Sequence, residues 1–285
     1  MSQLGDSKLR FRAVILMALL CCTLFLMAGC SSNSQDDKSI IVSGSSTIMP
    51  IAEQAADEFT QKNTQDSVLV SGMGSSAGIE AVSVGTAQIG TSSRDLKDEE
   101  KQLGLTDIPI AHDGIAVIVN KENPVTQLTS IQLREIFEGK ITNWNQVGGP
   151  DLEIERINRD EASGTREAFS KIVMDGAKFD SNSVVLPGTG QVRQVVTRTK
   201  GAIGYISVGF VNKDVKSITI DNVAPTKANV AKGTYPISRE LHFFVKGTPS
   251  GLTKEYIDFV LSEEVQNGPV VDAGFVPVQS SKGAN

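Results

Sequence analysis

Four times in this chain a short β-branched run breaks into a turn of Gly, Ser and Thr, and the apolar residues that follow take a helical period. The turns are Gly44-Ser45-Ser46-Thr47, Gly72-Met73-Gly74-Ser75-Ser76, Thr91-Ser92-Ser93 and Ser163-Gly164-Thr165. Strand–helix alternation repeated in this way predicts an α/β fold with mainly parallel pairing. Strands are predicted at residues 40–43, 68–71, 88–90, 112–120, 154–158, 202–207 and 241–245. Helices are predicted through Ile51, Ala55 and Phe59 with Pro50 in the opening turn, through Ile79 and Val82, and in the acidic stretch after Asp95. Others are predicted over residues 130–137, through Phe169 and Val173, near residues 191–199 and over residues 254–262. Residues 112–120 (HDGIAVIVN) are continuously apolar in the manner of a strand buried on both faces.

The turns also carry chemistry. Each falls where a helix N-terminus presents free N–H groups and the positive end of its dipole. Hydroxyls add donors, and glycine lets the backbone approach a ligand closely, so the set suits a small oxyanion. A single junction of this kind is read as an N-cap and no more. Four in one chain point further, because open α/β sheets bind ligands beyond the carboxyl ends of their strands. Arg159 closes a predicted strand four residues before Ser163. A guanidinium matches phosphate or sulfate with two parallel bonds, although pairing with Asp160 or Glu161 on the surface is an equal reading of Arg159 alone.

The remaining composition narrows the chemistry. The net charge of −6 lacks the basic footprint of a nucleic-acid binder. His112 and His242 are the only histidines, which excludes multi-His metal sites and leaves little for His-based catalysis. No cofactor is expected. Trp144, the single tryptophan, is expected to pack, and Gly188-Thr189-Gly190 is expected to be a loop, lacking the third glycine of a dinucleotide fingerprint. No P-loop occurs, so energy for any work must come from a partner.

The first thirty residues resemble a bacterial lipoprotein signal. Lys8, Arg10 and Arg12 precede an uncharged apolar run of 15 residues ending at Met27, then Ala28-Gly29-Cys30. The run is shorter than the about 20 residues of a membrane span and fits a signal peptide. Cys21 and Cys22 would leave with it, so Cys30 would be the one remaining thiol, and acylation explains its presence. An uncleaved anchor and a plain signal peptide are the other readings. Residues 31–39 (SSNSQDDKS) have the composition of a flexible tether. Cleavage before Cys30 would leave 24 Lys+Arg against 32 Asp+Glu, a net of −8.

Six ordered motifs resemble the phosphate-binding proteins of bacterial phosphate ABC transporters (PstS-like). They are Gly44-Ser45-Ser46-Thr47, Gly72-Met73-Gly74-Ser75-Ser76-Ala77-Gly78, Ser92-Ser93-Arg94, Phe137-Glu138-Gly139-Lys140-Ile141 with Trp144, Arg159 with Ser163-Gly164-Thr165, and Gly201-Ala202-Ile203-Gly204-Tyr205. The resemblance implies a two-lobe periplasmic-binding-protein-like fold of type II, with a two-strand hinge and a ligand cleft between the lobes. It implies residues 1–29 as signal peptide, 30–37 as tether, 38–112 plus 240–285 as one lobe and 113–239 as the other. Phosphate would be held by Ser46, Thr47, the Ile48 amide, Ser75, Ser93, Arg94, Asp95, Arg159, Ser163, Gly164 and Thr165, with no catalytic residue. Other members place an aspartate at the position of Ser93, and Asp95 is the expected replacement acceptor for the proton of bound phosphate, with Glu161 second. The implied protein is a monomer, exported and held by lipid on Cys30 to the outer face of the cytoplasmic membrane. There it would pass inorganic phosphate to membrane permease subunits.

Two other readings fit the residues. A binder of sulfate, molybdate or tungstate would use the same turns. Gly74-Ser75-Ser76-Ala77-Gly78 also fits the nucleophile elbow of an α/β-hydrolase, with Ser76 and His242 in the required order. Only about 45 residues would precede that serine in the mature chain, too few for the strands ahead of such an elbow.

Overall fold

The computed structural model describes residues 39–278. The expected signal peptide, Cys30 and the tether up to residue 37 lie outside the described residues.

The chain begins with β1 (Ser39–Gly44), α1 (Met49–Lys62), β2 (Ser67–Ser71), α2 (Ser75–Val84) and β3 (Ile89–Ser92). The long β4 (Leu105–Asn120) follows, then β5 (Gln127–Leu128), α3 (Ser130–Phe137), β6 (Glu155–Arg159) and α4 (Gly164–Phe169). Next come β7 (Val184–Leu186), α5 (Thr189–Arg198), β8 (Ala202–Ser207), β9 (Val215–Ser217), β10 (Thr219–Ile220) and α6 (Lys227–Ala231). The chain closes with β11 (Ser238–Lys246), α7 (Gly251–Val260) and β12 (Val276–Pro277), with short helical turns between.

Ten of the described strands form one mixed sheet in the order β2-β1-β3-β11-β4-β8-β6-β7, with β9 and β12 also paired to β4, while β5 and β10 pair with each other. Pairing is parallel at the two ends, β1 with β2 and β3, and β6 with β7 and β8. In the centre it is antiparallel, unlike the sequence prediction, because β4 and β11 carry the chain out and back past each other. Residues 112–120 are thus the second half of a longer strand whose neighbours run the opposite way.

Apolar periodicity sets what each element buries. On β4, Ile115, Val117 and Val119 join Phe137, Trp144, Phe169 and Tyr205 in one core, while Ala116 and Ile118 join Ile157, Val192 and Val196 in another. Both faces of this stretch are covered, which explains its unbroken apolar sequence. A separate core joins Ile40, Val42 and Ile89 to Ile51, Ala55 and Phe59 of α1 and to Leu241, Phe243 and Tyr256 from near the C-terminus. Trp144 is fully buried and donates its Nε1–H to the Gly201 carbonyl at 3.0 Å. Burying so large a ring requires such a partner for its one polar atom.

Candidate functional site

The first three small-residue turns interlock through their backbones. Ser45 N–H donates to both the carbonyl (3.0 Å) and Oγ1 (2.7 Å) of Thr91, and Gly74 N–H donates to the Gly44 carbonyl at 2.7 Å. Gly44 makes this approach possible. Its φ is +141°, and a Cβ there would lie 2.2 Å from the Thr91 carbonyl oxygen. The fourth turn opens α4 on the far side of the crossing strands, with Ser163 Oγ capping the helix by accepting Arg166 N–H at 3.2 Å.

Side chains from the four turns converge. Thr47 Oγ1 and Thr165 Oγ1 are 3.2 Å apart, Ser75 Oγ and Ser93 Oγ 3.3 Å. Ser75 Oγ also accepts Ser93 N–H at 3.1 Å. The Ser76 amide donates to the Ala162 carbonyl at 3.2 Å, joining the second turn to the fourth. A fifth junction joins them, at Gly188-Thr189-Gly190, where the sequence predicts a loop and the structure instead caps and opens a helix. Thr189 opens α5, and its Oγ1 lies 3.3 Å from Ser46 Oγ. Thr47, Ser75, Ser93, Ser163, Thr165 and Thr189 are all buried. The backbone N–H groups of Ser75, Gly164 and Thr165 have no hydrogen-bond partner among the described residues.

Three arginines border this cluster, and counting their five N–H groups separates their roles. Arg94 gives four of its five N–H groups to acceptors other than the facing hydroxyls, and its Nε stands in an ion pair without a hydrogen bond. It forks onto Glu100 at 2.6 and 2.8 Å, donates to the Asp95 carbonyl (2.8 Å) and Ser76 Oγ (3.1 Å), and sets Nε 2.9 Å from Glu167. Arg239 is saturated, by Asp113 at 3.0 and 2.7 Å, the Ser93 carbonyl at 3.1 Å, Thr165 Oγ1 at 2.9 Å and Thr47 Oγ1 at 3.5 Å.

Arg159 differs. It is 2% exposed and donates to the carbonyls of Leu186 (3.1 Å) and Pro187 (2.8 Å) and to Thr189 Oγ1 (3.2 Å). Two N–H groups remain, and no ion pair among the described residues involves it. Asp160 acts on its charge only at longer range. Behind it, Asn158 Oδ1 accepts the Arg159 amide at 2.8 Å and the Tyr205 hydroxyl. A buried cation with unused donors and no paired carboxylate is an incomplete electrostatic arrangement, and a small anion completes it.

The structure therefore brings together Ser46, Thr47, Ser75, Ser93, Arg159, Ser163, Gly164 and Thr165 from the sequence expectation and sets four others apart. Arg94 faces Glu100 and Glu167, because Ser92 Oγ donates to the Arg94 carbonyl (2.8 Å) and turns the chain after Ser93. Asp95 is 67% exposed and paired with Lys171 at 3.2 Å, so it is no buried proton acceptor. Glu161 is 89% exposed and paired with Arg166. The Ile48 amide is engaged locally, donating to the Ser45 carbonyl at 3.1 Å. The hydrolase alternative also fails geometrically. Ser76 Oγ accepts from Arg94, while the His242 ring contacts Asp107 at 2.8 Å and faces Asp95 at 3.6 Å. Thr189, Asp113 and Arg239 are the site residues that sequence reasoning missed.

The chain matches the PBP superfamily domain over residues 31–264. It is 35% identical to the phosphate-binding protein PstS of Bacillus subtilis (strain 168), covering 94% of this chain and 95% of the relative. Its structure is similar to that of a Clostridium perfringens substrate-binding protein assigned to a phosphate ABC transporter and holding bound phosphate. There the TM-score is 0.80 at 41% identity, over 84% of this chain and 99% of the other. An ABC-type phosphate transport receptor from Vibrio cholerae aligns with a TM-score of 0.71 at 36% identity, over 83% and 99%.

Proposed function

The chain belongs to the PstS-like phosphate-binding proteins, and from that premise we propose that its hydroxyl cluster captures inorganic phosphate for delivery to an ABC permease. The observation that carries this reading is Arg159, buried, unpaired by carboxylate and with two N–H groups open among hydroxyls from five turns. Charge-assisted hydrogen bonds contribute about 1.5–3 kcal/mol each. Several of them suffice for the about 8 kcal/mol of a micromolar Kd. Calorimetric titration of the mature chain with phosphate, sulfate and molybdate tests the reading. Phosphate is expected to bind tightly and in a 1:1 ratio; no phosphate heat, or tighter sulfate binding, overturns it.

Residues 38–112 with 240–285 form one lobe in this proposal, and residues 113–239 the other. Separate apolar cores on either side of the β4–β11 crossing support that division. Ligand contacts from both lobes would favour a closed form over an open one. Three ion pairs bridge them at the rim, Arg94 and Lys97 with Glu167 at 2.9 and 3.3 Å, and Lys171 with Asp95 at 3.2 Å. Partly exposed pairs of this kind contribute up to about 1 kcal/mol. Glu167→Gln is therefore expected to speed phosphate release up to about fivefold with little change in association rate, as read by stopped-flow fluorescence. An unchanged release rate would remove these pairs from the closing mechanism.

The protein works outside the cytoplasmic membrane, and lipid on Cys30 would keep it beside the permease. Two acyl signals are needed for stable anchoring, so a multiply acylated Cys30 fits this role. Loss of membrane association in Cys30→Ala is the corresponding check.

A further inference from the structure

Arg239 stands where the crossing strands meet the site, paired in register with Asp113 of β4. Both side chains are almost wholly buried, at 4% and 0% exposure. Two buried charges recover their desolvation cost only when further hydrogen bonds satisfy them. Asp113 obtains one from Ser207, whose hydroxyl donates to Oδ1 at 2.7 Å. Arg239 obtains its own from the candidate site. Nη1 donates to the Ser93 carbonyl and to Thr165 Oγ1, and Nη2 reaches Thr47 Oγ1 at 3.5 Å. Thr47 and Ser93 lie on the turns of one proposed lobe, Thr165 on the other.

We propose that Arg239 is a positioning residue, which does not touch the anion but sets hydroxyls of both lobes to donate to it. The inference rests on the phosphate reading of the site. Its basis is hydroxyl polarity. A hydroxyl oxygen that accepts an N–H has its own proton free to give elsewhere. Thr47 and Thr165 face each other at 3.2 Å, so unaided they would satisfy one another, one donating and one accepting. Arg239 supplies the acceptor side of Thr165, and more weakly of Thr47, and so releases their protons toward a ligand. It also engages the Ser93 carbonyl, whose negative end would otherwise oppose an anion held by the Ser93 hydroxyl. Asp113 fixes the guanidinium through its other two N–H groups and balances its charge, leaving Arg159 as the uncompensated cation. A lysine keeps the charge of Arg239 but has no planar fork to span Asp113, Thr165 and Ser93 together.

The test is calorimetric titration with inorganic phosphate of wild type, Arg239→Lys, Thr165→Val and the double variant, each first shown folded by circular dichroism. Arg239→Lys is expected to weaken binding about 10-fold, the effect of one lost charge-assisted hydrogen bond. Because Thr165 Oγ1 takes the shorter of the two hydroxyl contacts, at 2.9 Å against 3.5 Å for Thr47 Oγ1, much of the effect of Arg239 runs through Thr165, and the double variant is expected to fall clearly short of the product of the two single losses. Wild-type affinity in Arg239→Lys would overturn the proposal, since the charge alone would then suffice. Losses that multiply in the double variant would overturn it too, since Arg239 would then act independently of Thr165. If Arg239→Lys does not fold, the neutral pair Asp113→Asn with Arg239→Met takes its place, with the same loss expected and unchanged affinity overturning. A wild-type chain that binds no phosphate sinks the functional reading instead, so the two failures are distinguishable.

Discussion

Arg159→Ala is expected to weaken phosphate binding by about 10²–10⁴-fold while leaving the melting temperature of the ligand-free protein unchanged or higher. The affinity loss follows from the two open N–H groups, each worth about 1.5–3 kcal/mol to a charged acceptor. The stability expectation follows from burial. Desolvation pushes the guanidinium pKa down, and the folded chain bears the cost of holding this cation away from water with only neutral hydrogen-bond partners. An anion compensates that cost in the complex. Alanine removes it from the empty protein. Calorimetry and thermal melts with and without phosphate separate the two effects, and a variant that still binds within tenfold of wild type would rule out Arg159 as the principal anion ligand.

Gly164→Ala is expected to weaken binding by about 5- to 150-fold through the 1–3 kcal/mol typical of overpacking. A Cβ at this position would lie 2.3 Å from Ser75 Oγ and 2.8 Å from Ser93 Oγ. The two serines belong to one proposed lobe and Gly164 to the other, so the methyl group obstructs only their meeting. Alanine is otherwise welcome at a helix start, because Gly164 has no positive φ and alanine has the higher helix propensity. The ligand-free variant is therefore expected to melt like wild type while small-angle scattering with phosphate shows no compaction. Wild-type affinity would mean that these turns need not close on the ligand.

Much of the site was legible because its turns are local objects. A β-branched run ending in Gly, Ser and Thr before a helical period places hydroxyls at a strand's carboxyl end whatever the distant chain does, and Thr47, Ser75, Ser93 and Thr165 all follow from it. Thr189 escaped because β7, which leads to it, is a three-residue strand with exposed valines and gives almost no periodic signal. Arg239 and Asp113 escaped for a different reason. Their meaning lies in a register pairing between strands far apart in sequence, and no property of either segment alone specifies its partner. Arg94 and Asp95 follow Ser93 in sequence, but one hydrogen bond from Ser92 redirects the backbone and turns Arg94 to buried pairing with Glu100 and Glu167 and Asp95 to solvent. The antiparallel centre was likewise invisible, since an apolar run buried on both faces reads alike for either strand direction.

The core around Ile40, Val42 and α1 is completed by Leu241, Phe243 and Tyr256. A chain emerging N-terminus first therefore cannot bury that surface until β11 and α7 have followed it out. Such an ordering delays folding to the end of synthesis and suits a polypeptide that must be threaded unfolded through a narrow pore. A truncation just before Ser238 would leave that early surface permanently open, a substrate for proteases and chaperones instead of a shortened receptor.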